Sequence, residues 1–196
     1  MAMRIVGGRL RGRRLAAVRG PIRPTSDRLR QALFDVLGTA IEGSAFLDLY
    51  AGTGAVGLEA WSRGASPVIL VERDPASIRL IQRNLELCGL VGELLVRQQD
   101  VFAFLTAPEI PSPADFAYLD PPYAMRRYDK LLSKVAASPA VAVGGLVLLE
   151  LAQRTALPGP PAGLQWERDL EAGDSRVIFF RKSQGATDSQ KTQIDP

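Results

Sequence analysis

The sequence predicts an α/β protein with a mainly parallel central sheet and helices on both faces. A C-terminal antiparallel hairpin and a small N-terminal β-hairpin extension complete the expected architecture. Three observations lead there. From residue 45 onward, strand-like apolar runs alternate with helix-like stretches, the pattern that builds a parallel sheet. The first run, Phe46-Leu47-Asp48-Leu49-Tyr50, enters the loop Ala51-Gly52-Thr53-Gly54 and then a helix. A later run, 115–119, ends in Asp120-Pro121-Pro122-Tyr123 at the carboxyl edge of the sheet, where open α/β proteins bind ligands.

Residues 4–18 interleave short apolar pieces with glycine and arginine, which suits a hairpin better than a helix. Such a hairpin is too small to hold a core, so it folds against the main body or orders only on nucleic acid. The stretch Arg23-Pro24-Thr25-Ser26-Asp27-Arg28 announces a helix start, because a proline precedes three good capping residues. The helix that follows carries Leu29, Leu33, Val36, Leu37, Ala40 and Ile41 on its inner face, with Arg28, Arg30, Gln31 and Asp35 largely off it. Strands are expected near 45–50, 67–72, 93–97, 115–119 and 145–151, and helices near 55–63, 75–88, 100–106 and 126–137. Residues 165–170 and 176–181, joined by Ala172-Gly173-Asp174, read as the terminal hairpin. The polar segment 183–196 lacks periodicity and is expected to be a disordered tail. The chain thus divides into a hairpin extension (1–22), one main domain (23–182) and the tail (183–196).

At 196 residues the chain holds one ordinary domain, and no apolar run approaches the ~20 residues that span a bilayer. No signal-type segment follows the N-terminus, which points to the cytoplasm. The single cysteine, Cys88, makes no internal disulfide and no cysteine-rich zinc site. The absence of histidine removes Ser-His-Asp and Cys-His schemes together with histidine-ligated metals, and no metal is expected. Net charge is only +3, yet nine arginines and one acid fall between Arg4 and Arg30. Arginine clustered in this way suits phosphate, which its planar fork grips with two hydrogen bonds. Arg4, Arg9, Arg11, Arg13, Arg14, Arg23, Thr25 and Arg28 are therefore the candidate nucleic-acid contacts, Arg23, Thr25 and Arg28 lying at a helix entrance able to hold a phosphate.

Gly52, Gly54 and Gly57 satisfy the spacing of dinucleotide binders, and Glu72 follows at the distance where a carboxylate meets ribose hydroxyls. Taken alone, that match fits any α/β protein binding an adenosine moiety. Asp48 argues against a hydride carrier, since a buried carboxylate would repel a pyrophosphate but would welcome an amino group or a sulfonium. The stretch Asp48-Leu49-Tyr50-Ala51-Gly52-Thr53-Gly54 resembles the first motif of the Rossmann-like S-adenosylmethionine-dependent methyltransferases. That resemblance implies that Gly52 and Gly54 approach the methionine part, that Asp48 helps hold it, and that Glu72 accepts from the ribose hydroxyls. It also implies that Asp100 accepts from the adenine amine, with Tyr50, Ala51, Thr53, Arg73 and Val101 alongside. Asp100 has a second reading as the cap of the helix starting at 101.

The two prolines after Asp120 stiffen a loop that shows carbonyls and a carboxylate outward, a surface that holds an N–H₂ group. Hydrogen bonds from an exocyclic amine to Asp120 and the Pro121 carbonyl would orient it for attack, while Tyr123 stacks on a base flipped out of its helix. Asp120, Pro121, Pro122 and Tyr123 are the candidate catalytic residues and resemble the signature of amino-methyltransferases. The arginine-rich Gly-Gly hairpin, the 23–28 helix entrance and these two motifs, in this order, are similar to the bacterial RsmD family over about residues 4 to 182. Membership implies methylation of N2 of guanine-966 of 16S ribosomal RNA, in an assembled or assembling small subunit. Competing readings are an NAD-dependent oxidoreductase, another exocyclic-amine methyltransferase acting on RNA, DNA or protein, and a non-catalytic RNA-binding module.

Overall fold

Strand β1 (Phe46–Leu49) lies buried along its whole length in the interior of a seven-stranded sheet. The other strands are β2 (Val68–Glu72), β3 (Leu95–Gln98), β4 (Ala114–Leu119), β5 (Val141–Ala152), β6 (Leu164–Ala172) and β7 (Ser175–Lys182). The computed structural model describes residues 3–17, 26–107, 112–122, 125, 127–156 and 159–184. The strand order is β3-β2-β1-β4-β5-β7-β6. Neighbours from β3 to β5 run parallel, while β7 is antiparallel to both β5 and β6. The chain steps outward from β1 to β3 and then returns to the other side of β1, which opens a crevice at the carboxyl ends of β1 and β4.

Two apolar layers cover the sheet. One is formed by α1 (Asp27–Leu37), α2 (Ala55–Ser62) and α3 (Pro75–Cys88), the other by α4 (Val101–Leu105) and α5 (Tyr128–Ala137). Each helix turns an apolar stripe inward, as Ile78, Ile81, Leu85 and Cys88 do in α3.

Residues 3–15 form the expected hairpin in reduced form. Ile5 N–H donates to the Arg13 carbonyl and Leu15 N–H to that of Met3, both at 2.9 Å, around one bridge between Arg4 and Arg14 and a short 3₁₀ turn at Gly8–Leu10. Met3, Ile5 and Leu15 are buried in the same layer as α1, α2 and α3.

Helix α1 departs from its expected face. Ser26 caps it, accepting from Leu29 N–H at 3.1 Å, but it ends at Leu37, where Gly38 turns left-handed (φ 55°) into a 3₁₀ turn. Ala40 is thereby exposed and Phe34 joins the core. Arg30, expected off the inner face, is wholly buried, because the hairpin folds over the helix start. Its guanidinium donates to the Arg4 carbonyl and the Asp27 carboxylate, each at 2.7 Å. Strand β5 starts earlier than expected, at Val141, through an irregularity opposite Ala114–Phe116. The expected tail beyond Gln184 lies outside the described residues.

Candidate active site

The glycine loop and the proline corner leave the sheet side by side. Asp48 pairs with Tyr118 and Leu49 with Leu119 across the parallel β1–β4 ladder, and Asp120 N–H reaches toward the Leu49 carbonyl at 3.4 Å. Both segments therefore open at the same carboxyl edge, in the crevice at the switch point.

The loop is tightly made. Tyr50 adopts a left-handed conformation (φ 64°), which is uncommon without glycine and marks a turn held by its surroundings. Gly54 (φ 75°) closes the turn with its N–H on the Ala51 carbonyl at 2.7 Å. A Cβ on Gly57 would stand 2.1 Å from Leu70, so only glycine lets α2 approach the sheet here. Asp48, buried beneath, accepts from Gly57 N–H at 2.9 Å. Burial pushes its pKa up to about 7, against the opposing pull of that hydrogen bond and with a further push from the Glu72 charge.

Glu72 ties the loop to β2. Its two oxygens accept from Gly52 N–H at 2.9 Å on one side, and from Arg73 and Asp74 N–H at 2.8 and 2.9 Å on the other. Asp100 caps α4, accepting from Phe102 N–H at 2.9 Å and Ala103 N–H at 3.3 Å through Oδ1, while Oδ2 lies 3.9 Å from Arg73. The capping reading therefore holds, with the second oxygen turned toward the Arg73 side. Val101, next to it, is buried. The Tyr50 hydroxyl is buried with no hydrogen-bond partner among the described residues, and burial followed by the Asp100 charge raises it to about 12. A firmly protonated donor without an acceptor suits a ligand that brings acceptors, such as a nucleoside.

At the proline corner Pro121 is buried, Pro122 is exposed, and Met125 N–H occupies the Pro122 carbonyl at 2.8 Å. Asp120 is half-buried, and its carboxyl is pushed well above the usual carboxylate range by desolvation, then by Glu150 and Asp48. Tyr123 lies outside the described residues, as do Arg23 and Thr25. Arg11, Arg13 and Arg14 are exposed and, with Arg9 and Leu87, line a hollow of about 560 Å³. Arg9 sits 4.2 Å above the Trp61 ring, Arg4 pairs with Asp27 at 3.4 Å, and Arg28 is exposed on α1. Among the described residues no group of three or more acids or cysteines could hold a metal ion, and no helix is long and apolar enough to cross a membrane.

The profile of the family described as Conserved hypothetical protein 95 matches residues 3–181. Ribosomal RNA small subunit methyltransferase D of Escherichia coli K12 is 32% identical over 95% of this chain and 94% of its own. The chain belongs to the RsmD family. A solved Escherichia coli structure superposes with TM-score 0.81 at 30% identity, covering 93% of this chain and 99% of that one. A hypothetical protein of Thermus thermophilus gives TM-score 0.77 at 36% identity over 91% and 99% of the two chains. The fold is thus Rossmann-like, and the chain, like its RsmD relatives, is a methyltransferase.

Three residues of this family member stand out only in the structure. Glu150 of β5 is buried on the Asp120 side of the sheet, where the Tyr118 hydroxyl donates to it. Glu59 of α2 accepts from Val6 and Gly7 N–H at 2.8 and 2.7 Å and from Arg63 at 2.8 Å, pinning the hairpin. Asn84 of α3 accepts from Ala16 N–H at 2.7 Å and donates to the Ala16 and Thr53 carbonyls at 3.1 and 2.9 Å. Asn84 had a visible signal, being a polar residue within the apolar stripe of α3. For Glu150 and for the hairpin contacts of Glu59 there was none, because those partners are distant in sequence.

Proposed function

We propose that this methyltransferase uses S-adenosylmethionine to methylate the exocyclic N2 amine of guanine-966 in 16S ribosomal RNA of the small subunit. One observation carries the reading: an acceptor-lined corner at Asp120-Pro121 emerges beside the glycine loop at the same edge of the sheet. The residues around the loop fit the cofactor. Asp48 offers a carboxylate to an amino group, Glu72 has lone pairs beyond those used by the loop amides, and the Tyr50 hydroxyl supplies a donor. Ala51, Gly52, Thr53 and Gly54 would border the methionine part, with Arg73, Asp100 and Val101 toward the adenine. When bound, the cofactor supplies an electrophilic methyl group.

Asp120 and the Pro121 carbonyl accept from the two N–H bonds of the amine, turning its lone pair out of conjugation and toward that methyl. Tyr123 stacks on the extruded base. Methylation leaves a cationic nitrogen that must lose a proton, and Asp120, raised toward protonation by burial, Glu150 and Asp48, accepts it. The exposed guanidinium groups of Arg11, Arg13 and Arg14 bind rRNA phosphates, giving a salt-dependent, sequence-blind share of the affinity. The relatives named as ribosomal RNA small subunit methyltransferases support the substrate class.

The test is to incubate small subunits from a strain lacking the enzyme with tritiated S-adenosylmethionine and to map the labelled nucleotide. Label at N2 of guanine-966 is expected; label elsewhere, or none, contradicts the reading. Asp120→Ala should abolish transfer while leaving cofactor affinity within a few-fold, and normal turnover in that variant would remove Asp120 from the mechanism.

A further inference from the structure

A cleft of about 1030 Å³ opens beside the proline corner, on the face of the sheet opposite the arginine hairpin. Its floor is apolar, built from Phe102, Pro122 and Met125, and its outer wall is α5 with the residue before it, which contribute Arg127, Lys130 and Lys134. These three recur at spacings of three and four residues, so they share one side of the helix, while Tyr128, Leu131, Leu132 and Val135 face the core. All three cations are exposed, and among the described residues Asp129 is the one acid lining the same space. Arg73 also lines the cleft, and both it and Phe102 adjoin Asp100, in the part of the site assigned above to the cofactor's adenine.

We propose that the α5 side of this cleft is a second RNA-binding surface, seating the single-stranded nucleotides next to the target guanine with their phosphates on Arg127, Lys130 and Lys134. The inference rests on the proposed rRNA substrate and deepens it. An apolar floor beneath a row of cations is what an unpaired strand needs, since its bases stack on flat hydrophobic groups and its phosphates seek charge. A base extruded into the Asp120 corner must also leave its neighbours unstacked at the mouth of that corner. The hairpin binds on one face of the sheet and α5 on the other, so a strand held by both passes across the edge where Asp120 stands.

The experiment uses the full-length Lys130→Gln/Lys134→Gln variant, whose changes lie on exposed side chains. Binding to small subunits lacking the modification is measured between ~0.05 and ~0.2 M salt, and S-adenosylmethionine affinity by calorimetry. The variant should bind subunits roughly tenfold more weakly at low salt, with the log–log salt slope smaller by about 1 to 2. Cofactor affinity should be unchanged, and Lys130→Arg/Lys134→Arg should restore binding. An unchanged slope makes the row a solvated face and overturns the proposal. A fall in cofactor affinity that parallels the loss of RNA binding assigns the cleft to the cofactor and overturns it too. Wild-type methylation mapped on the same subunits separates this from the function itself: label at a different base refutes the guanine-966 assignment while leaving the salt result to judge the cleft.

Discussion

Asp48, Asp120 and Glu150 bring three carboxyl groups into one partly dry crevice, an arrangement that costs stability whenever all are ionised. Asp48 shows the sign clearly. The folded protein holds its proton up to about pH 7, whereas an unperturbed aspartate releases it near 3.8. Folding therefore takes up a proton across that window, and stability falls as pH rises through it. The ligand-free protein should lose on the order of 2–4 kcal/mol between these limits from this group alone, and Asp48→Asn should flatten the slope by that much. Thermal unfolding across the pH range checks it; an equally steep decline in the variant would locate the destabilising charge elsewhere. Asp48, Gly54 and Asp120 were legible as candidate residues because they lie where the first and fourth strands run out into turns rich in glycine or proline. Glu150 was not, since nothing in a strand's own sequence tells which residue its neighbour presents.

Among the elements, the strands and the helices α2, α3 and α5 follow from local patterns, with most ends displaced by a residue or two. Helix α1 was harder to read. Its inner face is set by the hairpin folded over it, which gives Arg30 two acceptors and makes a charged residue part of the core. The hairpin in turn is bolted to α2 by Glu59 and to α3 by Asn84, contacts more than fifty residues apart in sequence. Asn84 matters doubly, because the side chain that grips Ala16 also grips the Thr53 carbonyl in the glycine loop. Asn84→Ala leaves the Ala16 N–H and the Thr53 carbonyl without this partner, a loss of roughly 2–4 kcal/mol. Urea unfolding should show that loss, and calorimetry should show weaker S-adenosylmethionine binding. Unaltered cofactor affinity would mean that Thr53 keeps its position without help from α3.

For the whole molecule, the decisive feature is topological. The chain reverses direction of sheet growth between β3 and β4, so β1 and β4 lie together with a helix-bearing layer on each side of the crevice they share. That reversal brings Asp48-to-Gly54 and Asp120-Pro121, distant in sequence, to one edge, and it leaves the arginine hairpin and α5 to flank that edge from opposite faces. The alternation of strands and helices predicted the parallel sheet, but strand order, and hence which strand ends are neighbours, is visible only in three dimensions. The measurement that tests it most directly is a crystal structure with S-adenosylmethionine bound. The methyl carbon should project from above the Tyr50–Gly54 turn toward the Asp120 carboxylate and the Pro121 carbonyl. A sulfur turned away from that corner, or a cofactor seated at another edge of the sheet, would contradict the account.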